Sequence, residues 1–205
     1  GRRGDALLKV LSGIKAGDKI VTNGNLLIDG QAEMNRSFAS PAMPAPLADL
    51  SPAQQKAIAD FVKVADAMAA SLSADNLAAF NKASEPAMMQ TGELIDSLKS
   101  NSALKPQLDA LDKARQFHGF DDIQKARVAF HAFSVTATAL LEPLRTSHGA
   151  PEFKVWECFM VDQIIPNVPA KGRWVQLGTR PGHNPYFGAD MLECVKEIKP
   201  GEALP

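Results

Sequence analysis

The residues whose types and spacing could do chemistry lie in the last quarter of this 205-residue chain, where both of its cysteines are found. Cys158-Phe159-Met160 sets a thiol and a thioether two positions apart, on one side of the chain if that segment is extended. Met191 and Cys194 stand three positions apart, on one face if they share a helical turn. His183, just before Asn184-Pro185, adds an imidazole. Polarizable sulfur ligands select a monovalent soft ion, Cu(I) or Ag(I), so Cys158, Met160, Met191, Cys194 and His183 form a candidate metal set. Other chemistry is open to the same residues. In an oxidising compartment Cys158 and Cys194 could form a disulfide joining the two halves of the tail, which would deny both thiolates to a metal. Met160 and Met191 could equally be core, the commoner fate of methionine, and Met68, Met88 and Met89 are read as core outright.

These residues need elements to position them. The chain is 45% hydrophobic and 22% charged with a net charge of -1, the composition of an ordinary globular protein. That balance gives no basic footprint for nucleic acid and no pull toward an anionic membrane. No stretch approaches the run of about 18 apolar residues that a membrane span needs. No secretory signal is visible, and the strand-like sequence right after Gly1-Arg2-Arg3-Gly4-Asp5 leads us to expect a fragment with further sequence upstream.

Three zones follow. Residues 1–36 read as the partial end of a β domain, with short strands at Ala6–Leu11, Lys19–Thr22 and Leu26–Ile28 separated by Gly- and Asn-bearing turns. Residues 37–50 read as a linker, because the prolines at 41, 44 and 46 forbid helix and favour an extended spacer. Residues 51–199 read as a helical bundle with a Cys/Met-containing tail. Ser51-Pro52-Ala53-Gln54 opens the first helix with a capping box, and Ile58, Phe61, Ala65, Met68 and Leu72 give it one apolar stripe. A second stripe runs from Leu77 to Leu98, with Pro86 predicting a kink or early break. Leu104, Leu108 and Leu111 mark a short third helix. The fourth starts at a cap on Asp121 or Asp122, runs through Ile123, Phe130 and Leu141, and ends near His148-Gly149. The fold expected is therefore mainly α: an antiparallel four-helix up-down bundle with a loop-rich C-terminal tail, preceded by a short partial β segment.

Within that frame Arg127 is expected to clamp the tail through charge-assisted bonds, and Ser134 to bond back to the preceding turn. His118, His131 and His148 are read as satisfied or exposed. Trp156 and Trp174 are read as tail anchors, each through apolar area and one indole hydrogen bond. Asn184-Pro185-Tyr186-Phe187-Gly188 reads as a tight turn followed by aromatic anchors. There is no glycine-rich phosphate loop, no His-Glu-x-x-His and no serine in a nucleophile elbow, so no enzyme is expected.

Two stretches carry a resemblance to a known family. Val10-Leu11-Ser12-Gly13-Ile14-Lys15-Ala16-Gly17-Asp18-Lys19-Ile20-Val21-Thr22-Asn23-Gly24, continuing to Leu27-Ile28-Asp29, resembles the closing β segment of periplasmic adaptors, or membrane-fusion proteins, of resistance-nodulation-division efflux pumps of the heavy-metal branch. Residues 55–195 are similar to a helical domain of uncertain function found with such adaptors. The pattern is Arg127, Phe130 and Ser134, then Trp156, Cys158 and Met160, then Trp174 and Gln176, then Asn184 to Gly188, then Met191 to Cys194. Phe159 stands where that family usually has proline, and Val195 where it usually has glycine. The resemblance implies a periplasmic location in a Gram-negative cell and a copper- or silver-type efflux role. It also implies contact, through the full-length adaptor, with an inner-membrane pump and an outer-membrane channel.

Overall fold

The helix α1 (Pro52–Ser73) begins where the sequence places a capping box. The Gln54 N–H donates to Ser51 Oγ at 3.3 Å, and the Ser51 N–H donates back to Gln54 Oε1 at 2.9 Å. This computed structural model describes residues 2–3, 8–9, 49–178 and 180–202. The chain divides into two compact units, residues 1–42 with Pro205 and residues 43–204. In the first unit, β1 (Arg2–Arg3) pairs antiparallel with β2 (Leu8–Lys9), with Arg2 opposite Lys9. The strands expected at 19–22 and 26–28, and the proline-rich linker as far as residue 48, lie outside the described residues.

In the second unit the predicted second helix is two helices, α2 (Leu77–Ser84) and α3 (Ala87–Leu98). The break falls at Glu85-Pro86, where proline has no N–H to continue the ladder. Asn76 caps α2, its Oδ1 accepting from the Ala79 N–H at 2.9 Å. A 3-10 turn, Ser102–Leu104, leads into α4 (Lys105–Ala114). Of the two aspartates offered as cap for the long helix, Asp122 serves, accepting from the Lys125 N–H at 2.9 Å. That helix, α5 (Ile123–Leu141), gives way to a 3-10 turn at Glu142–Leu144, short of the expected end at residue 148. Pro143 stops it for the same reason as Pro86. Gly149 keeps the positive φ expected of it, at 82°.

The tail differs most from expectation. It carries a three-stranded antiparallel sheet in the order β4-β3-β5, built from β3 (Phe153–Cys158), β4 (Gly172–Leu177) and β5 (Lys196–Ile198). Trp156 pairs with Trp174 and Val155 with Ile198 across it. Phe153 and Val155 are buried while Lys154 and Trp156 are half-exposed, the alternation of a sheet with one covered face. The covering elements are helices, since both α1 and α5 pack on β4. The described residues of this unit thus hold five α-helices and this sheet, and the structure is mainly helical at 55%. Where a loop-rich tail beside an up-down bundle was expected, a sheet forms part of the wall of the core.

That core runs from helix to sheet without interruption. Phe61 of α1 meets Phe133 of α5 at a ring distance of 5.5 Å, Phe130 meets Tyr186 at 6.1 Å, and Tyr186 meets Trp174 of β4 edge-on at 5.7 Å. Met68 is fully buried, as read from its stripe. Met88 and Met89 are not core: they are 43% and 59% exposed, on the side of α3 turned away from α1. The break at Pro86 resets the helical phase, so spacing counted from α2 assigns them the wrong face.

Candidate functional site

Asn184 organises the ground on which both cysteines stand. It is fully buried, and its backbone N–H donates to the Leu192 carbonyl at 2.8 Å. Its Oδ1 accepts from the Tyr186 N–H at 3.0 Å, the Asx turn expected of Asn-Pro. Its amide nitrogen donates to the Cys194 carbonyl at 3.3 Å. One side-chain amide therefore ties the turn at Tyr186 to the segment before β5.

Cys158 closes β3 and is fully buried, and Cys194 is half-buried. Both are free thiols, near enough that a charge on Cys194 raises the pKa of Cys158. Burial pushes the Cys158 thiol up, outweighing the opposite influence of the Met160 N–H and the Asn184 amide. Met191 and Cys194 do share a turn, the Cys194 N–H donating to the Met191 carbonyl at 3.2 Å. Met160 and Met191 are half-buried. His183 is exposed and lines a different cleft of about 340 Å³, with Asp66, Ser73, Gln176, Arg180 and Leu192. Arg180 grips Asp66 there with two bonds of 2.6 and 2.8 Å. Among the described residues no group of three or more His, Cys, Asp or Glu side chains converges as a metal site.

Beneath the cysteines lies a polar clamp. Arg127 of α5, buried, donates from Nε to the Pro185 carbonyl at 3.1 Å and from Nη2 to the Leu72 carbonyl at 3.3 Å. The same Nη2 pairs with Asp75, whose other oxygen accepts from the Ala189 N–H at 2.9 Å. Burial works to raise the Asp75 carboxyl, but the Ala189 N–H and the Arg127 guanidinium outweigh it and hold the group below its ordinary value. Seven residues on from Arg127, two turns along the same face, Ser134 Oγ lies 2.8 Å from the Tyr186 hydroxyl, which donates to the Arg173 carbonyl at 2.9 Å. The clamp expected of Arg127 is present, and Ser134 does bond back to the His131 carbonyl at 3.2 Å. Its bond to Tyr186 gave no signal in sequence, because the partner lies 52 positions away.

Two expectations fail around this clamp. Both tryptophans pack the sheet, yet neither indole N–H has an acceptor among the described residues. Their anchoring is apolar: a Cβ on Gly182 would stand 2.5 Å from the Trp156 ring, so the chain passes flat against that indole. His131 is neither satisfied nor exposed; it is 7% accessible, edge-on to Tyr186 at 5.7 Å, with Nε2 unpartnered. His118 and His148 are exposed, as read.

Comparison with known protein families, with curated proteins and with solved structures finds no match for this chain.

Proposed function

We propose that the 43–204 unit binds a monovalent soft metal ion, Cu(I) or Ag(I), as cargo, through the thiolates of Cys158 and Cys194. The observation that carries this is the neighbourhood of the two sulfurs: the buried Asn184 amide holds the Cys194 carbonyl, and Cys158 is a free thiol close enough for a charge on Cys194 to act on it. Thiolate is the ligand such ions select. Met160 and Met191, each local to one cysteine, are the thioethers at hand. His183 is the least supported of the original set, since it is exposed and lines the Asp66–Arg180 cleft. In this reading the chain is a non-enzymatic part of a periplasmic heavy-metal efflux adaptor, acting with an inner-membrane pump and an outer-membrane channel. The family resemblance supports that wider role.

The test is a competition titration of Cu(I) against a chromophoric chelator, under reducing conditions. Wild type is expected to take up one equivalent, and Cys158→Ser/Cys194→Ser to take up none. Undiminished uptake by the double variant would remove the site. Because the Cys158 thiol sits above its ordinary value, binding near neutral pH releases its proton, and uptake should tighten as pH rises.

A second reading is a purely structural interaction module, in which a Cys158–Cys194 disulfide rather than a metal occupies the sulfurs. The favouring observation is that the clamp of Arg127, Asp75 and Tyr186 already holds the tail on the helices. A thiol assay on unreduced protein unfolded in denaturant, which exposes the buried Cys158, separates the two: two reactive thiols support the metal reading, none supports the disulfide.

A further inference from the structure

The two cysteines differ in what can reach them. Cys158 is 0% exposed, whereas Cys194 and Met191 each keep part of their surface in solvent. Strand register nevertheless brings the two thiols to one end of the sheet. β3 and β5 pair antiparallel with Glu157 opposite Lys196, so Cys158 is the next residue past that pair on one strand and Cys194 the second past it on the other. Leu192 to Val195 lead into β5 from a 3-10 turn at Gly188–Met191 and lie in neither helix nor strand. Their ties to Asn184 fall on main-chain carbonyls: the Asn184 N–H donates to Leu192 at 2.8 Å, and its side-chain amide to Cys194 at 3.3 Å. Neither bond uses the Cys194 thiol. An ion arriving from solvent can therefore meet the Met191–Cys194 turn directly, but meets Cys158 only after the structure covering it opens.

We propose that the two thiols act on a soft ion in sequence, with Cys194 and Met191 as the capturing ligands and Cys158 as the retaining one. This rests on the metal reading above and adds an order to it. Capture sets the association rate, because it occurs where solvent reaches. Retention sets the dissociation rate, because the ion must leave a covered sulfur that water and competing ligands do not reach. Each thiol gives its proton to solvent as its sulfur binds the ion, and no oxidant takes part.

The experiment follows Ag(I) uptake by the reduced full chain in rapid mixing, read from the ultraviolet absorbance of silver–thiolate bonds, and its release into excess chelator. Wild-type uptake should run at a rate proportional to Ag(I) concentration. In Cys194→Ser only the covered sulfur remains, so uptake should slow by about tenfold or more and level off as Ag(I) is raised, limited by local opening. Cys158→Ser should capture Ag(I) at the wild-type rate and release it about tenfold faster or more, the lower end of what loss of even a supporting partner costs a metal site. Met191→Leu should slow capture, and Met89→Leu, on α3, should not. Brief alkylation of the folded, reduced wild type with iodoacetamide should label Cys194 well before Cys158, and Ag(I) should suppress that labelling. Should Cys158→Ser not fold, as judged by its spectrum, Cys158→Ala and the order of alkylation decide. No uptake of Ag(I) by wild type would overturn this order together with the metal reading. Uptake by wild type with equally fast, concentration-proportional uptake by Cys194→Ser, or labelling of Cys158 first, would overturn the order alone and leave the metal reading standing.

Discussion

At the scale of single residues, the tail is held at points where no larger side chain fits. Gly188 has φ +59°, in the left-handed region, and a Cβ there would run into Asp75 Oδ1 and stand 2.5 Å from Arg127 Nη2. Gly188→Ala therefore combines backbone strain with displacement of a buried guanidinium from its carboxylate, and should cost about 2–4 kcal/mol of unfolding free energy. Urea denaturation measures it; a loss below about 1 kcal/mol would mean that the clamp contributes little. His131 makes a second prediction, in pH. Burial depresses its pKa below the ordinary 6.5, so the unfolded chain takes up a proton at a pH where the folded chain still refuses it. Stability is then complete above about pH 6.5 and declines as pH falls through the window between that value and the folded pKa. His131→Phe removes this slope. Paired denaturation curves at about pH 7.5 and 5.5 should show wild type losing more stability than the variant, and equal losses would exclude a buried neutral imidazole.

At the scale of elements, the legible and illegible parts of the fold divide by the range of the interactions that set them. Capping boxes, apolar stripes and proline breaks are local, and Ser51, Asp122 and Pro86 all act where the sequence places them. The sheet is not local: β3 and β4 are six residues each, β5 is three, and proline and glycine lie between them. Their burial also follows helix contacts more than strict alternation, as Trp174, Val175 and Gln176 are buried in succession. The candidate site shows the same division. The sulfur residues could be found by type, and the Met191–Cys194 turn by spacing, whereas the Asn184 bridge and the unpartnered His131 depend on packing between distant segments. Tyr186 is the joint where these segments meet, since its hydroxyl touches α5 at Ser134 and β4 at Arg173. Tyr186→Phe keeps the ring contacts and removes only that joint. It should lower stability by about 1–3 kcal/mol and increase amide exchange in β4 more than in α1 or α3. Uniform acceleration across all elements would show that the hydroxyl does not couple helix to sheet in particular.

At the scale of the whole molecule, every buried hydrophobic residue among those described falls between Leu50 and Ile198. The first hydrogen bond of that stretch already closes it: the Leu50 N–H donates to the His148 carbonyl at 3.1 Å, joining the approach to α1 with the turn that leads to β3. Arg127, Tyr186 and Asn184 then link α1, α5 and the sheet through partners that all lie inside the same stretch. A unit with a continuous core and long-range polar links of its own has what it needs to fold alone. The fragment 43–204 should therefore melt in one cooperative transition, within a few degrees of the corresponding transition in the full chain. It should also retain any Ag(I) stoichiometry that the full chain shows. A bound ion raises the melting temperature only by binding the folded state, so Ag(I) at a hundredfold excess over its Kd should add about 2.7 kcal/mol to either molecule. Calorimetry with and without Ag(I) checks both statements together. A broad, non-cooperative melt of the fragment would show that residues 1–42 complete its fold. A cooperative melt that Ag(I) leaves unmoved would remove the metal site and leave the domain intact.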